Sequence, residues 1–167
     1  GPLSEQELRR LSEYKEDLFR QAARGHIAFF DGVVVLFEAL RKAGLRIGLG
    51  TSTPQSNVDF FFKELGLDRY LDAYVSGDDV RKGKPDPEVF LLCAQRLLVP
   101  PDRCVVVEDA IAGVQAAKAG GMKRIAVTTT RTEEELRTQG KPDLILPATG
   151  KITPAVVLGL LQGQNRS

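Results

Sequence analysis

"VVVEDAIAGVQAAKAGGM", Val105–Met122, is the stretch whose reading decides the fold. Its opening, taken with the two residues before it as "RCVVVED", is a continuous β-branched run of the kind that forms a strand buried on both faces. The following "AIAGVQAAKAGG" is a helix of small residues, and "KRIAVTTT" after it is another strand. Two acids, Glu108 and Asp109, stand where the first strand ends.

The same alternation continues outward in both directions. Towards the C-terminus, "DLIL" is a last short apolar run ahead of a modest helix at Pro154 to Leu161. Towards the N-terminus, an apolar helix from about Pro87 to Leu98 is preceded by the charged loop "DDVRKGKPDPE" and a strand, "AYVSG". Before these come a helix over about Ser56 to Leu65, ended by Gly66, and the segment "LRIGLGTSTP". That segment predicts a short buried strand over Leu45 to Gly50 and a hydroxyl-rich loop over Thr51 to Pro54. Val33, Leu36, Phe37 and Leu40 share one helical face, closed at Gly44. Ser4 to Ala23 predicts a polar amphipathic helix whose thin apolar stripe is Leu8, Leu11, Tyr14 and Leu18, ended by Gly25. Strands alternating with helices across short loops predict a three-layer α/β/α sandwich around a mostly parallel sheet. Sites in such sheets form at the carboxyl ends of the strands. There the sequence places Thr51 and Ser52, Asp78 and Asp79 with Lys84, Glu108 and Asp109, and Thr128 to Thr130.

Composition narrows the function. With 167 residues, 43% of them hydrophobic, the chain can bury one good core. A net charge of +1 with no block of like charges argues against general attraction to nucleic acid or to an anionic membrane, so an anion site must be local. No apolar run approaches the roughly 20 residues of a membrane span, and no signal-peptide pattern opens the chain. Cys93 and Cys104 lie in apolar surroundings without metal-ligand spacing and read as small buried hydrophobes in a reducing, cytoplasmic compartment. Gly1 to Leu3 reads as a protease-cleavage scar and is set aside from fold reasoning.

Adjacent carboxylates repel unless a cation or a hydrogen-bond network relieves them, and oxygen-only ligands suit Mg²⁺. Lys84 lies in "GKPDPE", where Gly83 permits a turn, Pro85 stiffens it and Asp86-Pro87 opens a helix, so its ammonium is a fixed point charge for phosphate. Thr51 offers a hydroxyl and backbone N–H groups at a strand end. Together these predict a magnesium-assisted phosphate site. Taken singly, each has a plainer reading: "ED" as a helix cap, "TST" as a capped turn, Lys84 as a surface lysine, His26 as a structural or exposed histidine. Phe60, Phe61 and Phe62 read as helix core. Order and spacing separate the two.

In that order the residues resemble the haloacid-dehalogenase superfamily of phosphohydrolases, in its β-phosphoglucomutase-like and phosphatase branch. The resemblance runs from about Asp31 to Leu146. "IGLGTST" resembles the second motif, which implies that Thr51, with Ser52 beside it, binds the phosphoryl group. "GKPDPEVF" resembles the third, which implies that Lys84 neutralises charge there. "VVVEDAIAGVQAAKAGGM" resembles the fourth, which implies Glu108 and Asp109 as the Mg²⁺-binding acids. Asn57 falls where the family often carries a polar residue and is a further candidate phosphate contact. The implied ligand is a small phosphorylated metabolite or inorganic phosphate.

The family's first motif, an Asp-x-Asp loop carrying the nucleophile and the general acid/base, has no counterpart: no Asp-x-Asp occurs in the sequence. Laid over it, "FFDG" would put Phe29 at the nucleophile, and a phenyl ring cannot attack phosphorus. "FFDGV" instead resembles the segment by which the chain returns from a helical cap to the core. The resemblance then implies that residues 4–24 are a remnant of the cap and residues 25–163 the core domain. It further implies that the first strand, which lies between those ending at Thr51 and Glu108, is missing or replaced, and that the chain alone has little or no activity. An empty strand position leaves backbone groups unpaired at roughly 1–3 kcal/mol apiece if buried. We expect "HIAFF", residues 26–30, to fold back as a surrogate strand, with a strand lent by another copy or a collapse of the neighbours as alternatives. Two other readings remain open: a non-catalytic interaction or assembly module completed by a partner strand or by homo-oligomerisation through strand exchange, and a hydrolase in which Asp31 has been recruited as nucleophile.

Overall fold

The β-branched runs become strands, each parallel to its neighbour, in a computed structural model that describes residues 3–163. In chain order the elements are α1 (Glu5–Ala23), α2 (Val33–Lys42), β1 (Gly48–Gly50), α3 (Gln55–Leu65), β2 (Ala73–Val75), α4 (Glu88–Leu97), β3 (Val105–Glu108), α5 (Ile111–Ala119), β4 (Lys123–Val127), α6 (Glu133–Glu135), β5 (Leu144–Leu146) and α7 (Pro154–Gln162). Gly1 and Pro2, most of the cleavage scar, lie outside the described residues.

Helices cover both faces of the strands, which makes the α/β/α sandwich. On one face Val89, Phe90, Cys93 and Ala94 of α4 and Ala116 and Ala117 of α5 pack with Val75 of β2. On the other, Leu36 of α2 and residues of α7 pack on Ile125 and Val127 of β4. Small residues on α5 bring it close to the sheet, and β4, whose Ile125 and Ala126 are wholly buried, is the centre of the core. Among the described residues no helix is long and apolar enough to cross a membrane.

Pairing divides the strands into two sets. β1 and β2 form one, in the register Gly48↔Ala73 to Gly50↔Val75. β3, β4 and β5 form the other, with Val105↔Lys123 and Ile125↔Leu144. No ladder joins β1 to β3 among the described residues. Val107, in the middle of β3, is 39% exposed in consequence.

The surrogate strand expected at residues 26–30 does not form. Ile27 to Phe30 belong to no ladder, His26, Ala28 and Phe30 are exposed, and Phe30 is 72% exposed. The cause is where Phe29 goes: its ring packs edge-on against Phe37 of α2 at 6.1 Å and Tyr70 at 5.9 Å between centroids. Gly32, at φ 83°, then closes the linker against the loop after β5, where a Cβ in its place would stand 2.8 Å from the Gly150 Cα. Three smaller differences concern boundaries. Strand pairing begins only at Gly48 rather than Leu45, Thr128 to Thr130 leave the strand they were expected to extend, and α6, with the wider turn that continues it through Gly140, was not anticipated. A capping box between Thr132 and Glu135 starts α6.

Candidate functional site

Lys84 holds together the carboxyl ends of β1 and β3. Its Nζ donates to the Gly50 carbonyl at 3.2 Å, pairs with Glu108 Oε1, and stands 4.6 Å from the centre of the Phe90 ring. The side chains of Lys84 and Glu108 are only 14% and 11% exposed. A charge pair so withdrawn from water must be fully hydrogen-bonded to be tolerated. Glu108 meets that condition: its second oxygen accepts from the backbone N–H groups of Asp109 and Ala110 at 3.1 and 3.2 Å. Gly113 makes room for this carboxylate, since a Cβ there would lie 2.1 Å from the Glu108 Cδ.

Thr51 follows β1 directly, and its N–H donates to the Val75 carbonyl at 3.0 Å, extending the β1 ladder by one residue. Its hydroxyl donates to Thr53 Oγ1 at 2.9 Å and accepts from the Thr53 N–H at 3.1 Å, an ST turn that curls the loop. Ser52 is exposed at the tip of that loop. Its carbonyl passes so near Gly77 that a Cβ there would approach to 2.4 Å. Asp109 is half-buried beyond β3, with Oδ2 accepting from Thr129 at 3.1 Å and its carbonyl accepting from Thr130 at 3.1 Å. Thr51, Ser52, Lys84, Glu108 and Asp109 thus gather at one end of the two strand sets.

Asn57 is not part of this gathering. It is 4% exposed in the first turn of α3, with Oδ1 accepting from Arg20 at 2.7 Å and Nδ2 donating to Glu16 at 2.6 Å. Both ends of the amide are engaged by α1, so Asn57 anchors that helix instead of joining the residues gathered around Lys84. Asp31 is exposed at the start of α2, its carbonyl beside Gly150 in the loop after β5. Sequence reasoning noted Thr129 and Thr130 only as polar residues at a strand end, and overlooked Gly113. The signals available were the "TTT" run and a glycine in the first turn of a helix, where it otherwise lowers helix stability.

The donors fit Mg²⁺ in kind, being carboxylate oxygens, and Asp109 keeps one oxygen without a protein partner among the described residues. In number they fall short of a full cage: no group of three His, Cys, Asp or Glu side chains placed to hold a metal occurs among the described residues. Glu108, already paired with Lys84, would have to share or exchange that partner to coordinate.

A family model described as haloacid dehalogenase-like hydrolase matches residues 3–121. A phosphorylated carbohydrates phosphatase of Thermotoga maritima is 34% identical over 154 residues, which are 92% of this chain and 67% of that protein. Among solved structures, a hydrolase of family IA, variant 3, from Entamoeba histolytica aligns with a TM-score of 0.89 at 29% identity over 96% of this chain and 73% of its own. A mutant of CbbY from Rhodobacter sphaeroides, solved in complex with xylulose-(1,5)bisphosphate, aligns with a TM-score of 0.79 at 27% identity over 90% of this chain and 68% of its own. β-Phosphoglucomutases are among the further structural neighbours. The chain spans about two thirds of the length of the carbohydrate phosphatase and of CbbY.

Proposed function

Because this chain belongs to the haloacid dehalogenase-like hydrolases, we propose that it is the phosphate- and metal-binding part of a magnesium-dependent phosphatase or phosphomutase whose substrate is a small phosphorylated metabolite of the sugar-phosphate kind. The observation that carries this reading is the position of Lys84, bonded at once to the end of β1 and to Glu108 at the end of β3. A fixed cation between two strand ends offsets charge on a phosphoryl group seated there. The Thr51 hydroxyl, on turning from Thr53, and the N–H and hydroxyl of Ser52 would supply donors to the phosphoryl oxygens, while the Thr51 N–H stays in the ladder with Val75. Asp109, with Glu108, would hold Mg²⁺, which when bound polarises phosphoryl oxygens and lowers the repulsion met by an incoming nucleophile. Lys84 and the Asp109 and Ala110 amides hold the Glu108 carboxylate in place until then.

These residues do not include an attacking carboxylate, since no Asp-x-Asp occurs in the sequence. The chain by itself is therefore expected to bind phosphate and Mg²⁺ but to hydrolyse little or nothing. The test is Mg²⁺-dependent hydrolysis of an aryl phosphate by the purified chain, with Asp109→Asn as the contamination control and phosphate binding followed by calorimetry. Phosphate binding without turnover supports the reading. Turnover that vanishes in the control would mean that a nucleophile is present, and Asp31→Asn would be measured next. Failure to bind phosphate at all would sink it.

The lack of a ladder between β1 and β3 among the described residues favours a second reading, in which the chain is an assembly module completed by a strand from another copy. Sedimentation velocity over a range of concentrations tests it. A monomer throughout rules out strand exchange between copies.

A further inference from the structure

Asp109 is gripped by two consecutive residues of a neighbouring strand's loop. Thr129 donates from Oγ1 to Asp109 Oδ2 at 3.1 Å, and Thr130 donates from Oγ1 to the backbone carbonyl of the same residue at 3.1 Å. The ladder brings them there. Glu108 pairs with Ala126, so the chain leaving β4 runs beside the residue that follows β3. The Thr128 N–H still donates to the Leu146 carbonyl of β5 at 3.1 Å, which delays the turn towards Asp109 until Thr129.

The two acids are therefore held in different ways. Glu108 is fixed by Lys84 and by amides one and two residues downstream. Asp109 receives no bond from the lysine, and its side chain depends on Thr129 alone among the described residues. A carboxylate on a loop is free to turn about two torsions. The bond to Oδ2 limits that rotation, and the bond from Thr130 to the carbonyl fixes the peptide from which the side chain springs. One of about four carboxylate lone-pair positions is used, and the others stay open to a cation. Threonine suits the task because its branched Cβ restricts χ1.

We propose that Thr129, supported by Thr130, is a positioning residue that aims the free oxygen of Asp109 at the divalent cation; this rests on the phosphate and metal reading given above. Hydrogen-bonded partners of this kind change metal affinity by roughly 10–100-fold when removed. Since both threonines are exposed, the lower end of that range applies.

Mn²⁺ is the probe, titrated into the full chain while paramagnetic broadening of the Glu108, Asp109 and Ala110 amide signals is followed by NMR. Thr129→Val is expected to raise the midpoint about tenfold, with the thermal unfolding midpoint unchanged. Thr129→Ser, which keeps the hydroxyl, is expected to return it close to the parent value. A merely structural role would show itself as a shift in unfolding shared by both variants and no rescue in the titration. An unmoved midpoint in Thr129→Val, with Asp109→Asn abolishing the broadening, would overturn the proposal and leave the metal reading standing. Unaltered broadening in Asp109→Asn would remove the metal reading, and this proposal with it.

Discussion

The two strand sets are built on opposite plans. β3, β4 and β5 carry β-branched and aliphatic side chains that fill both faces, and Ile125, Ala126 and Val127 of β4 are buried between α5 on one side and α2 with α7 on the other. β1 is Gly-Leu-Gly and brings almost no side chain to the core. Its glycines are needed by α4: a Cβ at Gly48 would lie 2.6 Å from the Cys93 Sγ, and one at Gly50 would lie 2.9 Å from the Phe90 ring. One set is held by what all its strands carry; in the other, β1 is held by how closely a helix approaches a bare backbone, while β2 contributes the wholly buried Val75. The lesson is that a strand can be specified by the residues it lacks, provided its partner helix supplies the bulk.

The difference is broken most severely from the side-chain-rich set. Ile125→Ala empties a fully buried position in β4, and such truncations cost about 2–5 kcal/mol. Urea unfolding should show that loss. In the bare set the opposite substitution does the damage. Gly50→Val forces a branched side chain into Phe90, and overpacking of this kind costs about 1–3 kcal/mol. A neutral Gly50→Val would mean that α4 is not seated against β1. Between the two sets, Gly113→Ala tests the room left for Glu108. An alanine in an exposed helix would gain about 1 kcal/mol over glycine, but here its Cβ displaces the carboxylate that Lys84 holds. The expected outcome is no gain in stability together with weaker phosphate binding by calorimetry.

The β2 side also carries a pH signature. Arg96 and the Ser76 N–H hold the Asp79 carboxyl down at about 2, below its ordinary 3.8. A depressed carboxylate contributes stability that is present above its unfolded pKa and lost as pH falls through the folded one. The loss should therefore run from about pH 4 to about pH 2. Asp79→Asn is expected to lower stability at pH 7 and to flatten the fall over that window. A variant that falls as steeply as the parent would remove Asp79 from the account.

Most of this architecture was legible because its causes are local. The β-branched run of β3, the small residues of α5 and the acids at the end of β3 sit within one short stretch, and the strands and helix they predict are present with boundaries moved by up to three residues. What escaped notice depends on contacts between distant parts. "HIAFF" has the apolarity of a strand, but Phe29 finds Phe37 and Tyr70 instead. Asn57 follows the hydroxyl loop in sequence, yet α1 docks on it through Glu16 and Arg20. The helix at Glu133 is acidic, with too few apolar residues to set a period, and its capping box was the one signal to read.

The smallest expected effect is also the one that reports on the bare set directly. Burial pushes the Cys93 thiol up to about 11, and its sulfur lies against Gly48 under α4. Burial also raises Cys104, which is only half-buried next to β3. Alkylation at pH 8 should therefore mark Cys104 first, with Cys93 reacting only when α4 lifts from β1. Because the thiolate is the reactive form, and a group whose pKa is near 11 is scarcely ionised at pH 8, the Cys93 rate reads local opening rather than intrinsic chemistry. If β1 is held by α4 alone, Gly50→Val should speed Cys93 labelling well beyond its effect on Cys104. Equal acceleration at both thiols would mean that the two strand sets open as one unit, and the contrast drawn from their composition would not extend to their stability.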